Sequence, residues 1–235
     1  MELLKQIRLF LTKKHNSDKI FIEAFGSPGV GKSFICNKIK KNYESEYGSI
    51  LFHSIDNYNN YFLLRTLKKL IIIIRYLFFS PSLIKLVLQF LNKFENMEVK
   101  NKIKLIFNFL FVLSIIKKQK NISLLDQGIF QSIWSCFYYN NNFKGCIPKN
   151  SELKVIIVKI IDRLCLQNLV IVDIIAEDSI ILARLNNRKI RGTSALNNPS
   201  NSNLERGNFA TILVRSLIHE MAQDTKKIKV FSIQN

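Results

Sequence analysis

Short apolar runs alternate along this chain with longer stretches in which apolar residues recur every three or four positions. The runs cover 19–25, 49–53, 121–125, 168–174 and 229–233, and compact runs of that kind read as buried strands of a parallel sheet. Residues 32–44 carry Ile35, Ile39 and Tyr43 at four-residue spacing, which predicts a helix with one packed face. Further helices are predicted over 127–139, over 151–166, through an arginine-rich stretch ending at Ile190, and over 204–226. Strands alternating with helices predict an α/β fold with a five-stranded, mostly parallel sheet flanked by helices.

One region interrupts the alternation. Residues 61–119 are apolar and basic almost throughout, and predict a helical insertion between the second and third strands. The rest of the chain, 1–60 and 120–235, then forms the α/β domain. Between Tyr61 and Lys120 stand twelve Lys and Arg against only Glu95 and Glu98. A bilayer span needs about 20 mostly apolar residues. The longest stretch without Lys or Arg, 105–116, is shorter and contains Asn108, while 70–84 is broken by Arg75 and Pro81. A span is therefore not expected. A helical unit packed on the domain, or an amphipathic surface that touches lipid, fits the pattern.

Composition adds less. The 235 residues are 48% apolar and 22% charged, a globular composition long enough for a sizeable core. The net charge of +18 suits polyanionic partners, though Lys, Asn, Ile and Phe are abundant everywhere along the chain. Cys36, Cys136, Cys146 and Cys165 form no C-x-x-C pair or zinc-finger spacing, and read as reduced thiols of a cytoplasmic protein. The first fifteen residues resemble a short amphipathic helix rather than a signal peptide.

The chemistry is concentrated at three places. Gly26-Ser27-Pro28-Gly29-Val30-Gly31-Lys32-Ser33 matches G-x-x-x-x-G-K-[ST] at every fixed position, with a strand before it and a helix beginning near Lys32, and with Phe34 the nucleotide-binding segment is complete. Such glycines let backbone amides close on phosphate oxygens, the lysine sits between β- and γ-phosphates, and the serine hydroxyl ligates Mg²⁺. Asp126 follows the third strand, where a carboxylate could hold the metal or cap the next helix. Gln127, Gln131 and Trp134 fall at i, i+4 and i+7, a stripe suited to a hydroxylated or amide-bearing ligand. Arg184, Arg188 and Arg191 gather along one helix edge leading into the polar stretch 192–203. Arginines on a closing segment are suited to neutralising a phosphoryl group in transfer.

In this order the three elements resemble the P-loop nucleoside and nucleotide kinases, nearest to the thymidylate kinases. The resemblance rests on Gly26 to Ser33, on Asp126-Gln127-Gly128, and on the three arginines, and covers roughly 18–60 and 120–235. It implies a P-loop NTPase fold, ATP and Mg²⁺ as cofactors, and phosphoryl transfer to an acceptor. The kinases carry an arginine after the aspartate to engage the acceptor's phosphate; Gln127 stands there and carries no charge. The acceptor expected is therefore an unusual or non-nucleotide hydroxylated molecule or glycan. Asp56, just past the second strand, is placed where related kinases put a general base, and Glu23 on the first strand is its rival.

Guanine-specific, ABC-type and AAA-type signatures are absent, and so are nucleic-acid codes of interleaved aromatic and basic residues. A second reading is a slow, nucleotide-gated ATPase or binding protein peripheral to a membrane's inner face, with the insertion as partner surface.

Overall fold

The structure, a computed structural model, describes residues 5–7, 9–10, 19–47, 51–53, 62–118, 122–140, 147–188 and 201–235. Among them the strands are β1 (Ile20–Phe25), β2 (Leu51–His53), β3 (Ser123–Leu125), β4 (Asn168–Ile175) and β5 (Ile228–Gln234). The helices are α1 (Lys32–Tyr47), α2 (Phe62–Phe79), α3 (Pro81–Asn92), α4 (Val99–Lys118), α5 (Ile129–Tyr139), α6 (Asn150–Arg163), α7 (Asp178–Arg188) and α8 (Asn201–Asp224). The chain is α/β, and its helices flank a sheet ordered β2-β3-β1-β4-β5 in which every pairing is parallel.

Two cores follow from the period-two alternation of the central strands. Ile20, Ile22 and Ala24 of β1, with Val170, Val172 and Ile174 of β4, pack under Ile35, Cys36, Ile39 and Tyr43 of α1. Phe21 and Phe25, with Leu169 and Ile171, face the larger core shared with α3, α4, α5, α6 and α8. The same alternation sends two carboxylates into that larger core. Glu23 lies between Phe21 and Phe25, and Asp173 lies two residues beyond Ile171. Both are buried, so each needs a partner on the helices above.

The basic region forms α2, α3 and α4, and its apolar residues join the larger core rather than a core of their own. The long apolar run of α4 is explained by this: Phe109 to Ile116 are buried on every side of the helix. Pro81 opens α3, where its missing N–H costs nothing. Among the described residues no single helix is long and apolar enough to cross a membrane.

Topology places the site. From β1 the chain crosses to β2 on one side of the sheet, and from β3 it crosses over β1 to β4 on the other. The connections that leave the carboxyl ends of the parallel neighbours β1 and β3 thus run in opposite directions, which opens a crevice at the switch point where α/β sheets bind ligands. The Gly26–Ser33 loop and Asp126 emerge there.

Candidate functional site

Gly26, Gly29 and Gly31 have φ of 146°, 92° and 99°, in the region that side chains disfavour. Crowding reinforces the requirement. A Cβ on Gly31 would collide with the Asn235 amide and lie 3.1 Å from Arg184 Nη1. The loop turns through Val30 N–H donating to the Ser27 carbonyl, and Lys32 Nζ curls back to the carbonyls of Gly26 (2.7 Å) and Ser27 (3.1 Å). Phe34, next along α1, is exposed, with Lys38 Nζ 4.9 Å above its ring.

Ser33 and Asp126, both expected to hold metal, are brought together: Ser33 Oγ donates to Asp126 Oδ2 at 3.1 Å. Asp126 is buried and precedes the turn, while Gly128 occupies the position that caps α5. The helix-capping alternative for Asp126 therefore falls away, because α5 begins at Ile129 rather than Gln127. Among the described residues no three His, Cys, Asp or Glu side chains cluster as a metal site by themselves. One hydroxyl and one carboxylate are nonetheless the donor set that Mg²⁺ takes when substrate phosphates and waters complete its shell. Burial, and then the charge of Asp126, push the neighbouring Cys36 thiol up, so it stays protonated.

Arg184 also reaches the loop. Its Nη1 donates to the Val30 carbonyl at 2.9 Å, alongside Asn235 Nδ2 at 2.7 Å. Arg188 lies in α7, but its side chain is outside the description; Arg191 and Asp56 lie outside the described residues.

The expected Gln127, Gln131 and Trp134 stripe divides. Gln127 and Gln131 line a cavity of about 80 Å³ with Ser132 and Ser135 of α5 and Leu105, Asn108, Phe111 and Val112 of α4. Trp134 is buried elsewhere: its Nε1 donates to Thr211 Oγ1 (2.9 Å) and to the Gly207 carbonyl (3.2 Å) on α8. Because α5 begins two residues after Gln127, the spacing counted from Gln127 is not helical throughout, and Ser135 rather than Trp134 completes the cavity wall. Among the described residues that line the cavity none is charged, though Lys69 Nζ donates to the Asn108 amide in its wall. The buried Gln131 Oε1 has no hydrogen-bond partner among the described residues.

Trp134 still connects with the loop. Thr211 donates its proton to Gly207 (2.9 Å), and its oxygen lies 2.8 Å from Ser27 Oγ. With that proton used, the threonine's two lone pairs are filled by Trp134 and Ser27. Behind this network lies a cavity of about 240 Å³ between α7 and α8, lined in part by Ser27, Val30, Asp178 and Asn208.

The two carboxylates of the larger core find different partners. Asp173 accepts Arg215 Nε (2.7 Å) and Nη2 (3.0 Å), a two-point fork that ties α8 to β4. Glu23 Oε1 accepts the Gln131 N–H at 2.9 Å at the amino end of α5. Burial raises the Glu23 pKa to about 7, opposed by the backbone N–H groups of residues 128 to 131. It is fully buried behind the α5 amino terminus, and its Oε2 has no hydrogen-bond partner among the described residues. Neither the Asp173–Arg215 pair nor Asn235 and Thr211 belongs to a motif, but a lone acid inside an apolar strand was the signal for Asp173.

A carboxyl whose pKa is higher folded than unfolded binds more protons when folded, so stability falls as pH rises from about 4.5 to about 7. Glu23→Gln is expected to flatten that fall, of order 3 kcal/mol at most, when urea melts are compared across this window. An unchanged pH profile in the variant would remove Glu23 as its source.

No protein-family model matches the chain, and no curated protein matches it.

Proposed function

We propose that the chain is a divergent P-loop kinase that transfers the γ-phosphoryl group of ATP to a neutral, hydroxylated acceptor. The observation that carries this reading is the 3.1 Å contact between Ser33, at the end of the glycine loop, and Asp126, at the end of the neighbouring strand. It joins the two halves of a magnesium–triphosphate site from residues far apart in sequence.

In this reading the loop amides and the amino end of α1 cradle the phosphates. Lys32 would exchange the Gly26 and Ser27 carbonyls for the β- and γ-phosphates, and Ser33 and Asp126 would hold Mg²⁺. Mg²⁺ held there would supply positive charge against the triphosphate. Arg184 already lies against the loop from α7, where a guanidinium stabilises charge as it develops on the phosphoryl group. The acceptor oxygen forms a bond to the γ-phosphorus as the bond to the β-phosphate oxygen breaks, and ADP departs. The acceptor's proton passes to a carboxylate, for which Asp56 is our candidate.

The uncharged cavity supports the choice of acceptor. Gln127, Gln131 and Asn108 offer amides, Ser132 and Ser135 offer hydroxyls, and the volume of about 80 Å³ suits a hydroxylated fragment of a few heavy atoms.

The test is ATP turnover with nucleosides, sugars and glycans against turnover without them. Turnover should rise with a neutral hydroxylated acceptor, and Gln131→Leu should raise that acceptor's KM about tenfold or more, as expected when a buried amide no longer pairs with a hydroxyl. Turnover that no acceptor raises would overturn the kinase reading and favour the gated ATPase.

A further inference from the structure

Eight of the exposed large apolar side chains lie within α2, α3 and α4: Leu67, Leu70, Ile71, Ile74, Phe79, Leu88, Val99 and Ile103. Four of them are ordered. Leu67, Leu70, Ile71 and Ile74 follow the i, i+3, i+4, i+7 spacing, form one stripe of α2, and are 46 to 56% exposed. The opposite side of the same helix is the packed one. Tyr76 is buried there, Ile72 packs on the larger core, and Lys69 Nζ donates to Asn108 of α4. An isolated exposed leucine needs no explanation, but a continuous helical stripe does.

The charge around the stripe says what would cover it. From Phe62 to Asn92 the chain has five Lys and Arg and no Asp or Glu. Arg75 flanks the stripe and is exposed, as is Lys85 on α3. Two copies meeting through this face would set like charges against each other, with no acid to offset them. An anionic surface reverses the sign of that term, and an apolar stripe flanked by basic residues is the pattern of a helix lying in a lipid interface.

We infer that the Leu67, Leu70, Ile71 and Ile74 face of α2 docks on an anionic lipid bilayer. The helix lies in the plane of the interface; the four apolar side chains enter the headgroup and acyl boundary, and the basic residues stay with the lipid phosphates. The inference stands on α2 alone and does not depend on the kinase reading. It has one consequence for that reading. Asn108, held by Lys69 of this helix, lines the neutral cavity. Docking would therefore bring the cavity to about one helix diameter, ~10 Å, from the membrane surface.

The test uses the full chain with vesicles of phosphatidylcholine alone and with vesicles that also contain phosphatidylglycerol. The chain is expected to float with the anionic vesicles only, and less so as salt is raised. Ile71→Glu with Ile74→Glu should lower the bound fraction about tenfold or more. Arg75→Glu changes charge without touching the stripe and should also weaken it, while Val155→Glu, at an exposed position of α6, should not. Circular dichroism melts show that each variant is folded. Equal binding to both vesicle types, or to neither, overturns the inference. So does a dimer that the double glutamate variant converts to monomer without any vesicle binding, since the stripe would then be an interface between copies.

Discussion

Lys32→Ala is expected to lower phosphoryl transfer by about 10³-fold and to leave the melting temperature nearly unchanged. The rate follows from electrostatics: a preorganised charge placed where the transition state gathers negative charge contributes on that scale when it is removed. The stability follows from what Lys32 touches. Its Nζ donates to the carbonyls of Gly26 and Ser27 at the partly exposed loop, where water can replace it, and it fills no part of either core. Steady-state turnover and a thermal melt measure both. A variant that unfolds would show Lys32 to be a structural member of the loop, and one that keeps full turnover would remove it from the chemistry. Lys32→Arg should not rescue, because a planar guanidinium does not take the place of a compact ammonium under the loop.

Gly26→Ala should have the opposite profile, with stability lost first. A methyl group at that position would stand 2.6 Å from the Ile174 carbonyl and 3.0 Å from Val30 Cγ1, on a backbone with φ of 146°. The nearest atom belongs to β4, a central strand whose register with β1 is fixed over six residue pairs, so it cannot withdraw as a flexible side chain could. Overpacking and the disfavoured backbone together are expected to cost about 3–5 kcal/mol in a urea melt. A loss under 1 kcal/mol would mean that the loop has another conformation available.

These two residues mark how far the chain could be read from its sequence. Strands β1, β3 and β4 are legible because a parallel strand buried on both faces leaves an apolar run, and the glycine loop is legible because its residue types are dictated one by one. The alternating helices are legible for the same periodic reason, with ends displaced by a few residues: α5 opens at Ile129, not Gln127, and that displacement alone changes what shares a face with Gln131. The contacts that assemble the site are not legible. Arg184 and Asn235 meet at one carbonyl from the end of β5 and from α7, and nothing local in either segment encodes the other. Thr211 is likewise an unremarkable residue of a long helix until it stands between Ser27 and Trp134. Glu23 was visible as an acid in an apolar strand. Its direction was not, because only the packing of α5 over that strand shows that a helix amino terminus receives it.

The basic region shows the same division. Its helices are written in the spacing of apolar residues against Lys and Arg, whereas the merging of α3 and α4 into the main core depends on partners contributed by α5 and α6. The resulting arrangement gives α4 two duties, since its buried length packs against α2, α3 and α5 and its Leu105, Asn108, Phe111 and Val112 wall the neutral cavity.

The central claim is that Lys32, Ser33 and Asp126 form one magnesium–triphosphate site. Calorimetric titration of a non-hydrolysable ATP analogue, with and without Mg²⁺, tests it most directly in the wild-type chain and in Asp126→Asn. The account predicts one site per wild-type chain, tightened about tenfold or more by Mg²⁺, with that metal dependence lost in the variant. Binding that Mg²⁺ does not affect in the wild-type chain, or affects equally in Asp126→Asn, would contradict it.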